Sequence, residues 1–432
     1  MTEIPTATRP KVAIIGIGVA GLTAAWKLRH TCDLTLFEKN DYIGGHTRTL
    51  TVPKGDDEGT PVDTGFIVMN HRNYPHFTQL LQEWDVALED SDMSFSYHDV
   101  LSRYEYAGTG IRGIFPSPRL LAAPAHWKLL TELRRFGIVG TRALADGSAS
   151  TQTLGQFLDT HRFATVFRDH YLYAMGAAIW SSPPAQLADF PAEPYLHFFQ
   201  NHGLLTLKNR PQWRIVKGGS QTYVRKVLAS LDVTIHTETA PTAIFRGTEK
   251  VTLHLSDARK MDFDHVFIGA HADEALKLLG DADPQEIQRL SPWQYQPNAV
   301  VLHTWDNVMP RHKSCWASWN FSREDGFDPE KPVSVTYWMN RLQNLKTRHQ
   351  YFVTLNRVGE IPEAHIINRT VLHHPHFTRE AMDTQTAIRE QNGHRRTWLV
   401  GSYQGYGFHE DAVRSAVEAT DRFLQQPALR AS

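Results

Sequence analysis

KVAIIGIGVAGLTAAWKLRHTCDLTLFE, residues 11–38, is the stretch on which the fold turns. It opens on a short β-branched run and reaches Gly16, Gly18 and Gly21 in G-x-G-x-x-G spacing. Residues 22–28 are mostly good helix formers with Ala and Leu on the packing side, and residues 33–37 again read as a strand. A buried strand therefore feeds a helix that returns to a second strand. Gly16 permits the tight turn, Gly18 lets the backbone approach a pyrophosphate, and Gly21 lets helix pack closely on strand. The helix N-terminus then faces the phosphates, where its dipole favours negative charge. Glu38 closes the second strand, where a carboxylate accepts hydrogen bonds from an adenosine ribose and repels a 2′-phosphate. A glycine triplet alone is a common turn. Strand, helix, strand and terminal acid in this order make it a dinucleotide site, with NADP disfavoured.

Outward from this unit, Asp41-Tyr42-Ile43-Gly44-Gly45-His46-Thr47-Arg48 and Val62-Asp63-Thr64-Gly65-Phe66 continue the nucleotide half. A second block starts at Lys217-Gly218-Gly219-Ser220 and passes through a helix near Gln221 and strands at 233–236 and 251–255 to Val266-Phe267-Ile268-Gly269-Ala270-His271. A third places a strand at 397–400, a loop through Gly405 and Gly407, and a helix over 412–423 whose first turn suits the acids Glu410 and Asp411. The fold class expected is α/β. A Rossmann-type nucleotide domain of residues 1–66, 213–285 and 396–432 is interleaved with an α+β substrate domain of residues 67–212 and 286–395. The substrate insertions are rich in aromatic residues, Trp180, Tyr195, Phe198, Trp213, Trp293 and Tyr337 among them, as core packing or as an apolar tunnel.

Composition bounds the function. The 432 residues carry 45 Lys plus Arg against 46 Asp plus Glu, so the broad positive field that draws nucleic acid is missing, and no nucleic-acid partner is expected. Only Cys32 and Cys315 occur, too few for a disulfide framework or a thiolate metal site, which fits a reducing, cytoplasmic interior. The opening MTEIPTATRP lacks the apolar core of a secretory signal. The longest uncharged stretch, 171–188, is broken by Ser181-Ser182-Pro183-Pro184 and does not span a bilayer. His373-His374-Pro375-His376 is the one dense histidine run; Pro375 interrupts a helical ligand face, and no metal site is expected.

The Gly44-Gly45 pair after Glu38, together with Val62–Phe66, resembles the flavoprotein amine oxidase superfamily. That resemblance implies non-covalent FAD, held by Gly16, Gly18, Ala20, Gly21, Glu38, Lys39, Gly44, Gly45, His46, Thr64, Gly65, Ala240, Gly401, Phe408 and His409. It places adenine near residues 239–242, where Pro241 lacks an N–H. It also sets the start of the C-terminal helix against the pyrimidine end of the flavin. Met175–Ser181, Asn201–Leu205, Arg210–Trp213 and Tyr403–Asp411 narrow the likeness. They resemble a bacterial "predicted NAD/FAD-binding protein" branch, similar to the N-terminal region of plant cyclopropane-fatty-acid synthases and to a flavin-dependent desaturase of furan fatty acid formation. The implied activity is FAD-dependent dehydrogenation of a fatty-acyl chain, methylated and phospholipid-bound, beside a cyclopropane-synthase-like methyltransferase. Amine oxidation, or a non-catalytic lipid-binding accessory role, stands as the alternative.

His409, Tyr403 and Tyr406 lie in the loop that the resemblance carries across the flavin; each is a candidate catalytic group, and a structural hydrogen bond accounts for each equally well. One departure bears on mechanism. Many amine oxidases place a Lys near flavin N5, and the comparable stretch, Pro297 to His303, has none. Residues 111–145 hold six Lys or Arg and one acid among Leu, Ile, Phe and Trp. Trp127, Leu130 and Arg134 are spaced for one helical face, which serves either peripheral contact with the inner membrane face or packing on the substrate domain.

Overall fold

Val12, Ala13 and Ile14 have no accessible surface and Ile15 almost none, as a strand covered on both faces requires. In the computed structural model this strand, Lys11–Ile15, is the centre of a five-stranded sheet in the order Thr234–His236, Asp33–Phe37, Lys11–Ile15, His265–Ile268 and Thr397–Leu399. All four pairings are parallel. The register aligns Ile15, Phe37, His236, Ile268 and Leu399 along one edge, so the loops that follow all five strands leave the sheet together. That carboxyl edge is where an open α/β sheet binds its ligand. The structure describes residues 9–206, 210–324, 328–331, 333–357 and 359–426; segment 1–8, on which most of the leader reading falls, lies outside them.

The second layer is a seven-stranded mixed sheet in the order Ile366–Pro375, Tyr295–His303, Phe352–Leu355, Ser334–Trp338, Trp319–Arg323, Phe95–Asp99 and Tyr104–Ala107. Alternation along Tyr295–His303 sends Val300 and Leu302 into a core shared with helices Pro124–Ala145, Leu154–Thr160 and Ala192–Asn201, and Val301 into a smaller cluster on the other face. A further antiparallel sheet, Pro241–Arg246, Val251–Leu255 and Lys260–Phe263, flanks the nucleotide domain.

Two details depart from the reading of the sequence. Segment 68–91, placed with the substrate domain, pairs with Trp213–Val216 through strands Val68–Met69 and Leu88–Ser91. Its helix Pro75–Glu83 buries Phe77, Leu80 and Leu81 in the nucleotide-domain core, because its apolar face meets the C-terminal helix His409–Leu424. Residues 111–145 form not one amphipathic unit but three helices, Ile111–Ile114, Pro118–Leu121 and Pro124–Ala145, the last two each starting at a proline. Leu130 turns inward onto the core rather than sharing an outer face with Trp127. No helix among the described residues is long and apolar enough to cross a membrane.

Candidate functional site

Gly16 takes φ +84°, and a Cβ there would sit 2.9 Å from the Gly269 carbonyl, so only glycine makes this turn. Gly21 packs so that a Cβ would strike the Gly16 carbonyl at 2.1 Å. Gly18 differs: its missing Cβ would meet nothing nearer than the Gly44 carbonyl at 3.9 Å, leaving open space above the backbone. Beside it, among the described residues, the first-turn amides of Val19 and Ala20 have no carbonyl partner, as expected at a helix N-terminus. Glu38 is buried at the end of its strand; one carboxylate oxygen accepts Ile17 N at 3.0 Å and the other accepts Asn40 N and Nδ2. Gly44 is tied to the turn by its amide to Ile17 O at 3.0 Å, which brings Gly45 within reach of Gly18. Lys39 extends outward into an ion pair with Glu274, and the Ala240 carbonyl accepts Ser256 N. Thr64 bonds to the Arg48 carbonyl, and Gly65 is needed for contact with the His46 carbonyl, which a Cβ would strike at 2.1 Å. These two shape the His46 loop from behind.

Beyond this cradle His46 has three further histidines, His271, His374 and His409, as neighbours. The His46 ring lies 5.5 Å from His374 and 6.1 Å from His271, and all four keep some accessible surface although they lie deep in the molecule. Burial, then the neighbouring histidines, holds His46 well below the usual range; burial takes His374 to about 4 and His409 to about 3. The four imidazoles are therefore neutral. The His374 tautomer follows from a chain anchored on backbone. Ala299 N donates to Asn356 Oδ1, so Asn356 Nδ2 donates to Asn298 Oδ1, and Asn298 Nδ2 donates to His374 Nδ1 at 3.1 Å. The proton of His374 thus resides on Nε2. Asn298 is buried within the stretch where the resemblance expects a Lys, and its amide passes this hydrogen-bond chain to His374 without charge. Among the described residues, no group of three or more His, Cys, Asp or Glu is arranged to hold a metal ion.

The loop before the C-terminal helix is held by Asp411, whose Oδ2 accepts Tyr406 N at 2.9 Å and Phe408 N at 3.0 Å. Glu410 accepts His76 N and Phe77 N, each at 2.9 Å, and burial raises it to about 7. The three candidate catalytic side chains do not converge. Tyr403 is 1% exposed and packed against Trp293 in the nucleotide-domain core, because its ring fills the space that the absent Cβ of Gly401 leaves. Tyr406 is half-buried near Asp411 and Arg414. His409 stacks on Phe66 at 3.7 Å, with its Nε2 2.8 Å from the Tyr223 hydroxyl.

Phe408 faces the substrate domain. It stacks on Phe198 at 4.9 Å, with His202 at 6.1 Å and Trp180 at 6.4 Å. His202 lies between Phe198 and Trp213, and its Nδ1 is 2.8 Å from the Phe198 carbonyl. That carbonyl only accepts, so Nδ1 carries the proton and Nε2 presents a lone pair. Burial takes His202 down to about 4. His202 was not among the candidate site residues read from the sequence, since nothing in Asn201-His202-Gly203 marks it as a base, although the stretch Asn201–Leu205 carries part of the resemblance. Trp293 lines no approach to Phe408, being sealed in the nucleotide-domain core. An open polar cleft between Arg289, His394, Trp398 and Arg422 opens at the opposite end of the sheet and contains none of these groups.

A parallel sheet whose carboxyl edge carries a glycine cradle and a buried terminal acid is the frame of a dinucleotide-binding oxidoreductase, and the residues present fit FAD. The sequence profile of flavin containing amine oxidoreductases matches residues 19–424. The chain belongs to that family, and its cofactor is FAD. No curated protein matches it. Among solved structures, a CLA-producing fatty acid isomerase from P. acnes superposes with a TM-score of 0.69 at 16% identity, covering 97% of this chain and 99% of that one. Putrescine oxidase bound to putrescine gives 0.69 at 12%, covering 96% and 99%. Cyclohexylamine oxidase from Brevibacterium oxydans gives 0.67 at 14%, covering 96% and 100%. At these identities the likeness is one of fold.

Proposed function

We propose that this family member dehydrogenates the acyl chain of a lipid, methylated and phospholipid-bound as its resemblance to the cyclopropane-synthase branch suggests. The supporting observation is the neutrality of the surroundings of Phe408. Its neighbours are Phe198, Trp180 and His202, and the nearby carboxylates are already engaged, Glu410 by two backbone amides and Asp411 by two backbone amides and Arg414. Among the described residues no carboxylate hydrogen-bonds to these rings to hold an alkylammonium ion, and an acyl chain requires none. That a fatty acid isomerase shares the fold is in keeping with this reading.

When bound, FAD supplies a two-electron acceptor at N5. The aromatic walls hold the chain and exclude water, so that an allylic C–H meets the acceptor. With FAD bound to take up the hydride equivalent of the allylic C–H, His202 Nε2 would accept the proton of the neighbouring carbon, and the electrons of that C–H bond would become the new double bond. An acyl methyltransferase of the cyclopropane-synthase kind would supply such a substrate, with both proteins working at the cytoplasmic face of the membrane.

Anaerobic addition of a methylated unsaturated phospholipid is expected to bleach the yellow of the FAD-loaded protein and to yield a lipid two hydrogens lighter by mass spectrometry. The aromatic faces around Phe408 also suit a cation, which favours amine oxidation as the second reading. Bleaching by amines with peroxide release in air, and none by lipid, would establish that reading instead. No bleaching by either, with stimulation of an added methyltransferase, would mean an accessory role.

A further inference from the structure

Helices Ile111–Ile114, Pro118–Leu121 and Pro124–Ala145 form one continuous surface. Trp127 Nε1 donates to the Leu121 carbonyl at 2.9 Å, and the Trp127 ring lies 5.1 Å from Phe115, which joins the three. The inner face of the long helix, Leu129, Phe136, Gly140 and Ala143, is buried in the substrate-domain core. Its outer face is not covered by any part of the described chain: Ile111 is 80% exposed, Leu121 57%, Trp127 47% and Ile138 63%.

The charges on this surface are sorted by folding. Glu132, the one acid of residues 111–145, is 2% exposed and lies 2.7 Å from Lys128 and 2.6 Å from Arg135, so its charge is withdrawn into the protein. Among the described residues, Arg112, Arg119 and Arg134 have no carboxylate partner. Trp127, Arg134 and Ile138 follow helical spacing along a stripe about 16 Å long. Within residues 111–145, the exposed large apolar side chains therefore stand among cations, on a rigid support. Such a face matches the interface of an anionic bilayer, where apolar groups enter the acyl boundary and guanidinium groups remain at the phosphates.

We propose that this face docks the protein on an anionic phospholipid bilayer. The inference does not depend on which substrate is oxidised. FAD-loaded protein is expected to co-sediment with vesicles of phosphatidylcholine mixed with phosphatidylglycerol, and not with phosphatidylcholine alone. R112E/R119E/R134E is expected to lower the partition by at least about 100-fold, at roughly fivefold per cation lost. I111S/L121S/W127S should lower it as well, with FAD retention unchanged in both variants as the check on folding. Absence of binding to the mixed vesicles, or full binding by the charge-reversed variant, overturns the proposal. So does full binding by the apolar variant, which would mark a site for a soluble polyanion instead. Binding is read without turnover, so failure to oxidise lipid leaves this result standing.

Discussion

Gly18 and Gly21 lie three residues apart, and the structure assigns them different work. A methyl group at Gly21 drives into the Gly16 carbonyl, so Gly21→Ala should destabilise the apoprotein by about 1–3 kcal/mol in urea unfolding. Gly18→Ala meets open space, so it should leave unfolding within about 0.5 kcal/mol of the parent while weakening FAD binding more than tenfold in a fluorescence titration. Equal stability loss in both variants would contradict this division. His202 carries a test of the proposed proton transfer. Held near 4 by burial, it remains an unprotonated base down to mildly acid pH. The rate of anaerobic flavin reduction should therefore stay level from pH 8 to about 5 and fall only below that, and His202→Asn should lower it by about 100-fold with FAD affinity unchanged. An acid limb centred on 6.5, or an unimpaired variant, would remove His202 from that role.

At the scale of elements, one carboxylate shapes the loop that enters the C-terminal helix. Asp411 takes two backbone amides, and a Cβ at Gly405 would meet its Oδ1 at 2.1 Å. Asp411→Ala leaves both amides without that partner and should cost about 1–3 kcal/mol in unfolding while loosening FAD, because Phe408 and His409 lose their fixed entry to the helix. Wild-type stability and affinity in this variant would show that the helix start holds its shape unaided. The elements themselves were largely legible. Residues 11–38 announced strand, turn, helix and strand, because each glycine has a steric duty that the chain order makes readable. The helix over 412–423 was readable from its acids, and the structure extends it to His409–Leu424. The break of residues 111–145 was missed, although Pro118 and Pro124, whose missing N–H groups suit the first turn of a helix, stand at the two new helix starts.

At the scale of the whole molecule, burial of neutral histidines sets the response to acid. His202, His303, His374 and His409 are held at about 3 to 4, below the 6.5 of an unfolded imidazole, so the unfolded chain binds more protons as pH falls through 6.5. Stability from these groups is complete above that value and declines toward 4. Asp63, raised to about 6, and Glu410, raised to about 7, act with opposite sign, since the folded state takes up their protons first. The histidines outnumber them, and a net loss of a few kcal/mol is expected between about pH 6.5 and 4.5. Thermal melts at constant ionic strength should show Tm falling across that window; a constant or rising Tm would mean that the carboxylates prevail. By itself the sequence determined the β-α-β unit at the head of the nucleotide domain, with its glycine turn and terminal acid, because those depend on local turns and on spacing within a few residues. Only the tertiary structure decided that Tyr403 is core, that His202 and Phe408 meet, and that Glu132 turns inward to leave an all-positive face. Those outcomes join side chains far apart in the chain, and burial, not spacing, settles which polar groups stay neutral and which reach solvent.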